Sequence, residues 1–137
     1  MGNTLSEKQQ VRRLAAVLVA DAVGYSGRMR VAESATYHQY KDDLETVFVP
    51  QISEHRGRVV KTTGDGLLAE FSSIVDCVKG AMEIQRALAE RVVGSDRQGL
   101  AYRMGINLGD IIVEPDDIYG DGVNMAARLQ VIAEPGG

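Results

Sequence analysis

The sequence is poor in the residues that mark several common classes of protein. It has one cysteine, two histidines, three prolines and no tryptophan in 137 residues. A lone Cys77 closes no intramolecular disulfide, which excludes a disulfide-framed secreted scaffold and fits a reducing cytoplasm. His38 and His55 stand apart on one helical stretch, without zinc spacing, and read as surface or capping residues. No apolar run approaches the ~20 residues needed to cross a bilayer as a helix, so no direct membrane insertion is expected. Positive charge is not in excess either: 15 Lys and Arg face 19 Asp and Glu, for a net charge of -4, and no basic stripe is present. That argues against nucleic acid as a partner and leaves small molecules or other proteins.

The N-terminus imitates two targeting signals. "VRRLAAVLVADAVG" has paired arginines before an apolar stretch, but Asp21 interrupts it. "MGNTLS" fits the N-myristoylation pattern, with no neighbouring basic cluster to supply the second signal that stable anchoring requires. Residues 1–10 read as a polar leader, and residues 11–137 as one domain.

What is present is the composition of a globular domain, 45% hydrophobic and 25% charged. "LAAVLVAD" is a short, nearly continuous apolar run that reads as a buried strand ending on Asp21 and leaving into the loop "AVGYSG". From Glu33 to His55 the residues Tyr37, Tyr40, Leu44, Val47, Phe48 and Ile52 recur at helical spacing. Pro50 is expected to kink or break that helix by freeing the Thr46 carbonyl, and Gly57 to end it. "RVVKTT" and "GLLAEF" read as strands joined at Gly64-Asp65-Gly66, a strong hairpin signal. Ser73 with Asp76 opens the next helix, whose stripe is Ile74, Val78, Ala81, Met82 and Leu88, running to about Val92. "AYRMGINLGDIIVE" reads as a strand or bent hairpin, and "DGVNMAARLQVIAE" as a helix from about Asp121 to before Pro135. The order is β, α, β, β, α, β, α, an α+β pattern.

Turn chemistry alone explains Asp65. Asp21, however, ends the first strand, and a first strand lying beside a strand of the hairpin brings both carboxylates to one sheet edge. Two acids meeting there repel unless a cation joins them. Oxygen-only ligation with few protein ligands suits Mg²⁺, which keeps waters and takes substrate phosphates.

Four blocks, "VLVADAVGYS", "VVKTTGDGLLAEF", "YRMGINLGD" and "DDIYGDGVNMAARL", together resemble the catalytic domain of class III nucleotidyl cyclases, most closely bacterial adenylate cyclases. They follow the family's order across residues 17–129. The resemblance implies a ferredoxin-like βαββαβ sheet with helices on one face. It implies that Asp21, Asp65 and the main-chain carbonyl of Ala22 hold two divalent cations, Mg²⁺ or Mn²⁺. Lys61 and Asp117 match the pair that selects adenine, Arg103 an arginine that contacts the triphosphate, and Asn124 and Arg128 the pair that orients ribose and stabilises the transition state. Those last two lie four apart, on one helix face.

The implied activity is conversion of ATP to 3′,5′-cyclic AMP and pyrophosphate at a homodimer interface, with a fused or associated regulatory domain. Guanylate cyclase, a non-catalytic nucleotide-binding or dimerisation module, and a phosphoacceptor receiver domain are the alternatives; consecutive hairpin strands speak against the receiver. Domains of this family continue for several tens of residues beyond "AARLQVIAEPGG", so the fold is expected to be C-terminally incomplete and the 137 residues alone weakly active or inactive. The short segment between "GINLGD" and "DDIYG" is expected to reduce the dimer-contacting arm.

Overall fold

The structure, a computed structural model, describes residues 11–93 and 99–137. The leader expected over residues 1–10 lies outside them. Strand β1 (Val11–Ala22) is the middle of a five-stranded sheet in which β2 (Gly57–Thr62) and β3 (Gly66–Phe71) lie on one side, β4 (Tyr102–Glu114) and β5 (Asp117–Tyr119) on the other. The order is β2-β3-β1-β4-β5, and every neighbouring pair is antiparallel. The first four strands have the expected ferredoxin-like arrangement. β1 is flanked on both edges and covered on both faces, which is why its sequence is a nearly continuous apolar run.

Alternation along β1 divides the interior in two. Ala16, Leu18, Ala20 and Ala22 face a large cluster with Phe48, Ile52, Cys77 and Ile84, contributed by helices on that face. Ala15 and Val17 face a smaller cluster with Leu68, Ile111, Ile118 and Ala126. The first cluster is built on α2 (Glu33–Asp43), α3 (Val49–Glu54) and α4 (Ile74–Val93). The last helix, α5 (Asp121–Ile132), lies over β4 and β1 and supplies Ala126 to the second. It seats there with no side chain between: a Cβ on Gly105 would stand 2.1 Å from the Ala126 carbonyl oxygen.

Several expectations need correction. The loop after β1 contains a short helix, α1 (Tyr25–Val31), entered through Gly24 at φ 67; seven residues without a buried side chain leave no apolar stripe to read. Pro50 does not break the long helix. A π-helical turn over Leu44–Phe48 joins α2 to α3, and Phe48 and Val49 keep helical dihedrals. The left-handed reversal after α3 falls on Arg56, at φ 61, and not on Gly57. Arg56 is held there by hydrogen bonds from Nε and Nη2 to the two Asp76 carboxylate oxygens, 3.2 and 3.1 Å.

Tyr37 is exposed, and the buried side of the long helix begins at Thr36, its apolar part at Tyr40. On α4, Val78 and Met82 face solvent, and the stripe runs through Cys77, Ala81, Ile84 and Leu88. Cys77 is the buried small apolar residue expected, its thiol pushed up to about 12 by burial. Ser73 Oγ accepts the Asp76 amide at 3.2 Å, the predicted opening of that helix. β4 is one continuous strand, and the short β5 follows it through a Pro115-Asp116 turn.

Candidate functional site

The hairpin turn is fastened to the end of β1 by backbone contacts. Asp21 pairs with Gly66, and the Ala22 amide donates to the Asp65 carbonyl at 2.8 Å. Gly66 permits the approach, because a Cβ there would lie 1.8 Å from the Ala20 carbonyl oxygen. From beneath, the Tyr40 hydroxyl donates to the Gly66 carbonyl at 2.6 Å. Tyr40 is buried, and Tyr25 of α1 packs edge-on against it with ring centroids 5.7 Å apart. Burial and the nearby Asp65 charge push the Tyr40 hydroxyl up to about 12, so it stays a donor at neutral pH.

The expected convergence of Asp21 and Asp65 is therefore present. The carboxyl of Asp21 is pushed up to about 7, first by burial, then by a hydrogen bond with the Asp65 side chain and by its charge; Arg103 acts in the opposite sense. Arg103 is the β4 residue in register with Asp21, and its Nε donates to the Ala133 carbonyl at 2.8 Å. The anion beside this strand arginine, within one chain, is thus Asp21.

The raised carboxyl of Asp21 and the Asp65 side chain next to it, beside the buried Ala22, form a hard-oxygen donor set that fits Mg²⁺ or Mn²⁺. Among the described residues no group of three or more His, Cys, Asp or Glu gathers to hold a metal, so further oxygen ligands have to come from the main chain, water or substrate.

Lys61 and Asp117 stand on β2 and β5, the two edges of the sheet, yet Lys61 Nζ lies 3.1 Å from Asp117 Oδ1. The sheet curls far enough for its edges to meet. The Lys61 ammonium holds the Asp117 carboxyl below the usual carboxylate range, assisted by the Ile118 amide that donates to the same oxygen at 2.8 Å.

Asn124 and Arg128 are exposed on α5, and neither side chain makes a hydrogen bond or ion pair with another described residue. The structure thus joins Asp21 with Asp65 and Lys61 with Asp117, but links neither pair to Asn124 or Arg128 within one chain. A cleft of about 1310 Å³ beside α1 and α2, lined among others by Gly24, Arg28, His38 and Lys41, includes none of these six side chains.

Sequence reasoning missed Arg13, Arg58 and Glu70. Glu70 is 5% exposed within β3 and receives guanidinium groups from Arg13 of β1 and Arg58 of β2. A charge at a position flanked by apolar residues, "LLAEF", was the available signal.

The adenylate and guanylate cyclase catalytic domain family matches residues 7–137. A putative adenylate cyclase 3 of Rhizobium meliloti (strain 1021) is 48% identical over 128 residues, covering 92% of this chain and 22% of the relative. An adenylate cyclase of Streptomyces coelicolor is 32% identical over 93% of this chain and 32% of its own length. The crystal structure of an adenylate/guanylate cyclase/hydrolase from Silicibacter pomeroyi superposes with a TM-score of 0.85 at 43% identity, covering 93% of this chain and 75% of that one. The chain thus spans between a fifth and a third of the length of these curated relatives. By its family match and its fold, the chain belongs to the catalytic domains of the adenylate and guanylate cyclases.

Proposed function

We propose that this domain converts ATP to 3′,5′-cyclic AMP and pyrophosphate. The observation that carries the choice of base is the 3.1 Å contact between Lys61 and Asp117. An ammonium beside a carboxylate presents one donor and one acceptor side by side. Adenine offers the complement, an acceptor at N1 and a donor at its 6-amino group. In that same pose, with the ammonium at N1 and the carboxylate at the 6-position, guanine would offer a donor at N1 and an acceptor at O6, so both contacts would be repulsive. The adenylate cyclase names of the two curated relatives agree with this reading.

The reaction forms a bond from the ribose 3′ oxygen to the α-phosphorus and breaks the α-phosphorus bond to the pyrophosphate oxygen, in line. Two divalent cations held by Asp21, Asp65 and the Ala22 carbonyl would supply activation of the 3′-hydroxyl and neutralisation of the polyphosphate. The chain's own residues position and stabilise charge. Asn124 orients the ribose, Arg128 meets the charge that develops on the α-phosphate, and Arg103 lies beside the triphosphate. One arginine so placed is worth ~10³-fold or more in related phosphoryl transfers.

Two copies complete each site. Asp21 and Asp65 come from one, while Lys61, Asp117, Asn124 and Arg128 come from the other, so a homodimer has two sites. The separation of Asn124 and Arg128 from the carboxylates within a single chain supports this arrangement. The test is mixing: in the intact protein, Asp65→Ala and Arg128→Ala are each expected to be inactive and to regain partial activity together. No recovery despite demonstrated subunit exchange would overturn the shared site. Preferential turnover of GTP would make the domain a guanylate cyclase, and nucleotide binding without cyclic product a non-catalytic module.

A further inference from the structure

We infer that Arg58, held by the buried carboxylate of Glu70, is a positioning residue that sets Asp117 against Lys61 and so fixes the selectivity for the base. The inference rests on the base-recognition reading above and names what holds that pair in place.

Three observations converge. First, Arg58 and Lys61 are three residues apart, a spacing that puts side chains on opposite faces of a regular strand. In β2 the register shifts by one residue between Val59 and Lys61, so Arg58 pairs with Glu70, Lys61 pairs with Leu68, and both belong to the same face. A bulge of this kind re-aims a side chain.

Second, Arg58 spans the seam between the sheet edges. Its Nε donates to Glu70 Oε1 at 3.3 Å, and its Nη1 donates to the Pro115 carbonyl oxygen, also at 3.3 Å. Pro115 lies in the β4–β5 turn, two residues before Asp117. The two ends of one planar guanidinium thus tie the interior of β3 to that turn, a rigidity that a flexible ammonium lacks.

Third, Glu70 is committed to this work. Arg13 shares Oε1 with Arg58, while Oε2 is buried and makes no hydrogen bond among the described residues. The carboxylate therefore relies on its two guanidinium partners and cannot turn away to water. The turn is otherwise lightly held on this side: among the described residues, the cross-edge side-chain tie besides Arg58 is the half-exposed Lys61–Asp117 pair itself, which by its exposure would be a weak constraint alone.

The experiment compares Arg58→Ala, Arg58→Lys and Lys61→Ala in the intact protein. It reads kcat and KM for ATP and for GTP, and hydrogen exchange at the Ile118 amide, the group bonded to Asp117 Oδ1. Arg58→Ala is expected to cut the ATP-over-GTP ratio of kcat/KM by about tenfold, mainly through the KM for ATP. Exchange at Ile118 should quicken by a similar factor. Arg58→Lys keeps a charge beside Glu70 yet cannot fork to both partners, so it should fold and give an intermediate effect. Arg58→Ala added to Lys61→Ala should lower selectivity no further.

Equal losses for ATP and GTP, or an unchanged ratio where Lys61→Ala alters it, would overturn the inference. So would unchanged exchange at Ile118 in both Arg58 variants. If Lys61→Ala leaves the ratio untouched, the base-recognition reading fails, while the exchange result still decides whether Arg58 holds the turn.

Discussion

Asp21 and Asp65, distant in sequence, are drawn together by a backbone bond of 2.8 Å from the amide of Ala22 to the carbonyl of Asp65. The side chains meet because the main chains are fastened first. With the Asp21 carboxyl pushed up to about 7, the metal-free protein should hold a proton there well above the ordinary carboxylate range. Asp65→Asn removes the neighbouring charge and should lower that titration. Addition of Mg²⁺ should lower it too, as the cation displaces the proton. Carbon-detected NMR titration of the Asp21 carboxyl measures both.

The same shift has a consequence for stability. The folded pKa of Asp21 lies above the ~3.9 of an unfolded aspartate, so between about pH 4 and 7 the folded state binds more protons than the unfolded one. Asp21 therefore makes the metal-free domain less stable as pH rises through that window. Chemical denaturation of wild type and Asp21→Asn at pH 5 and pH 7.5 should show the wild type losing more stability than the variant between the two. Saturating Mn²⁺ should shrink that difference.

For Asp117 the sign is opposite. Its carboxyl sits below the usual range, chiefly through the hydrogen bond from Lys61. Whatever stability the pair contributes is present above the unfolded carboxylate pKa and is lost only as pH falls through the lower folded value. Base selectivity should therefore stay flat from pH 6 to 8. A step in the ATP-over-GTP ratio in that interval would be inconsistent with this pair as its source.

Gly66→Ala should destabilise the fold. The added methyl meets the Ala20 carbonyl oxygen at 1.8 Å, a clash with backbone that no rotamer change relieves. A cost of about 3 kcal/mol is expected, at the upper end for overpacking. Urea denaturation gives the number, and metal affinity should fall with it because the hairpin turn moves away from β1.

Tyr102→Phe removes a hydroxyl that donates to Asp43 Oδ2 at 2.9 Å in the core. Asp43 is 1% exposed, and burial pushes its carboxyl upward while Tyr102 and Gln39 hold it down. The variant should lose about 1–3 kcal/mol, the range for a buried acceptor deprived of its partner, and Asp43 should titrate higher still. The ring itself keeps its edge-on packing with Phe48, centroids 5.0 Å apart.

The parts legible in the sequence were those set by local chemistry. The turn at Gly64-Asp65-Gly66 lies between strands as expected, although its positive φ, 90°, falls on Gly64 and not on the Asp-Gly pair, and β3 occupies Gly66–Phe71 as expected. Asp21 was traceable because a charge ends an otherwise apolar run. The pairing of Lys61 with Asp117 came only through the family resemblance, since it depends on how far a sheet curls. Pattern reading failed where the pattern was absent or ambiguous. α1 buries nothing, and the α4 stripe was misaligned because Val78 and Met82 look like core residues and are exposed. The bulge in β2 was hidden because "RVVKT" has no glycine to mark it. Pro50 misled because its local cost was considered without the wider turn that precedes it.

At Gly105 the helix α5 seats directly on β4. Main chain rests on main chain there, so the height of the helix above the sheet is a property of polypeptide thickness and not of any side chain that selection can enlarge or trim. Repacking the hydrophobic interior elsewhere would leave the perch of Asn124 and Arg128 where it is, whereas a single methyl at Gly105 would lift both at once.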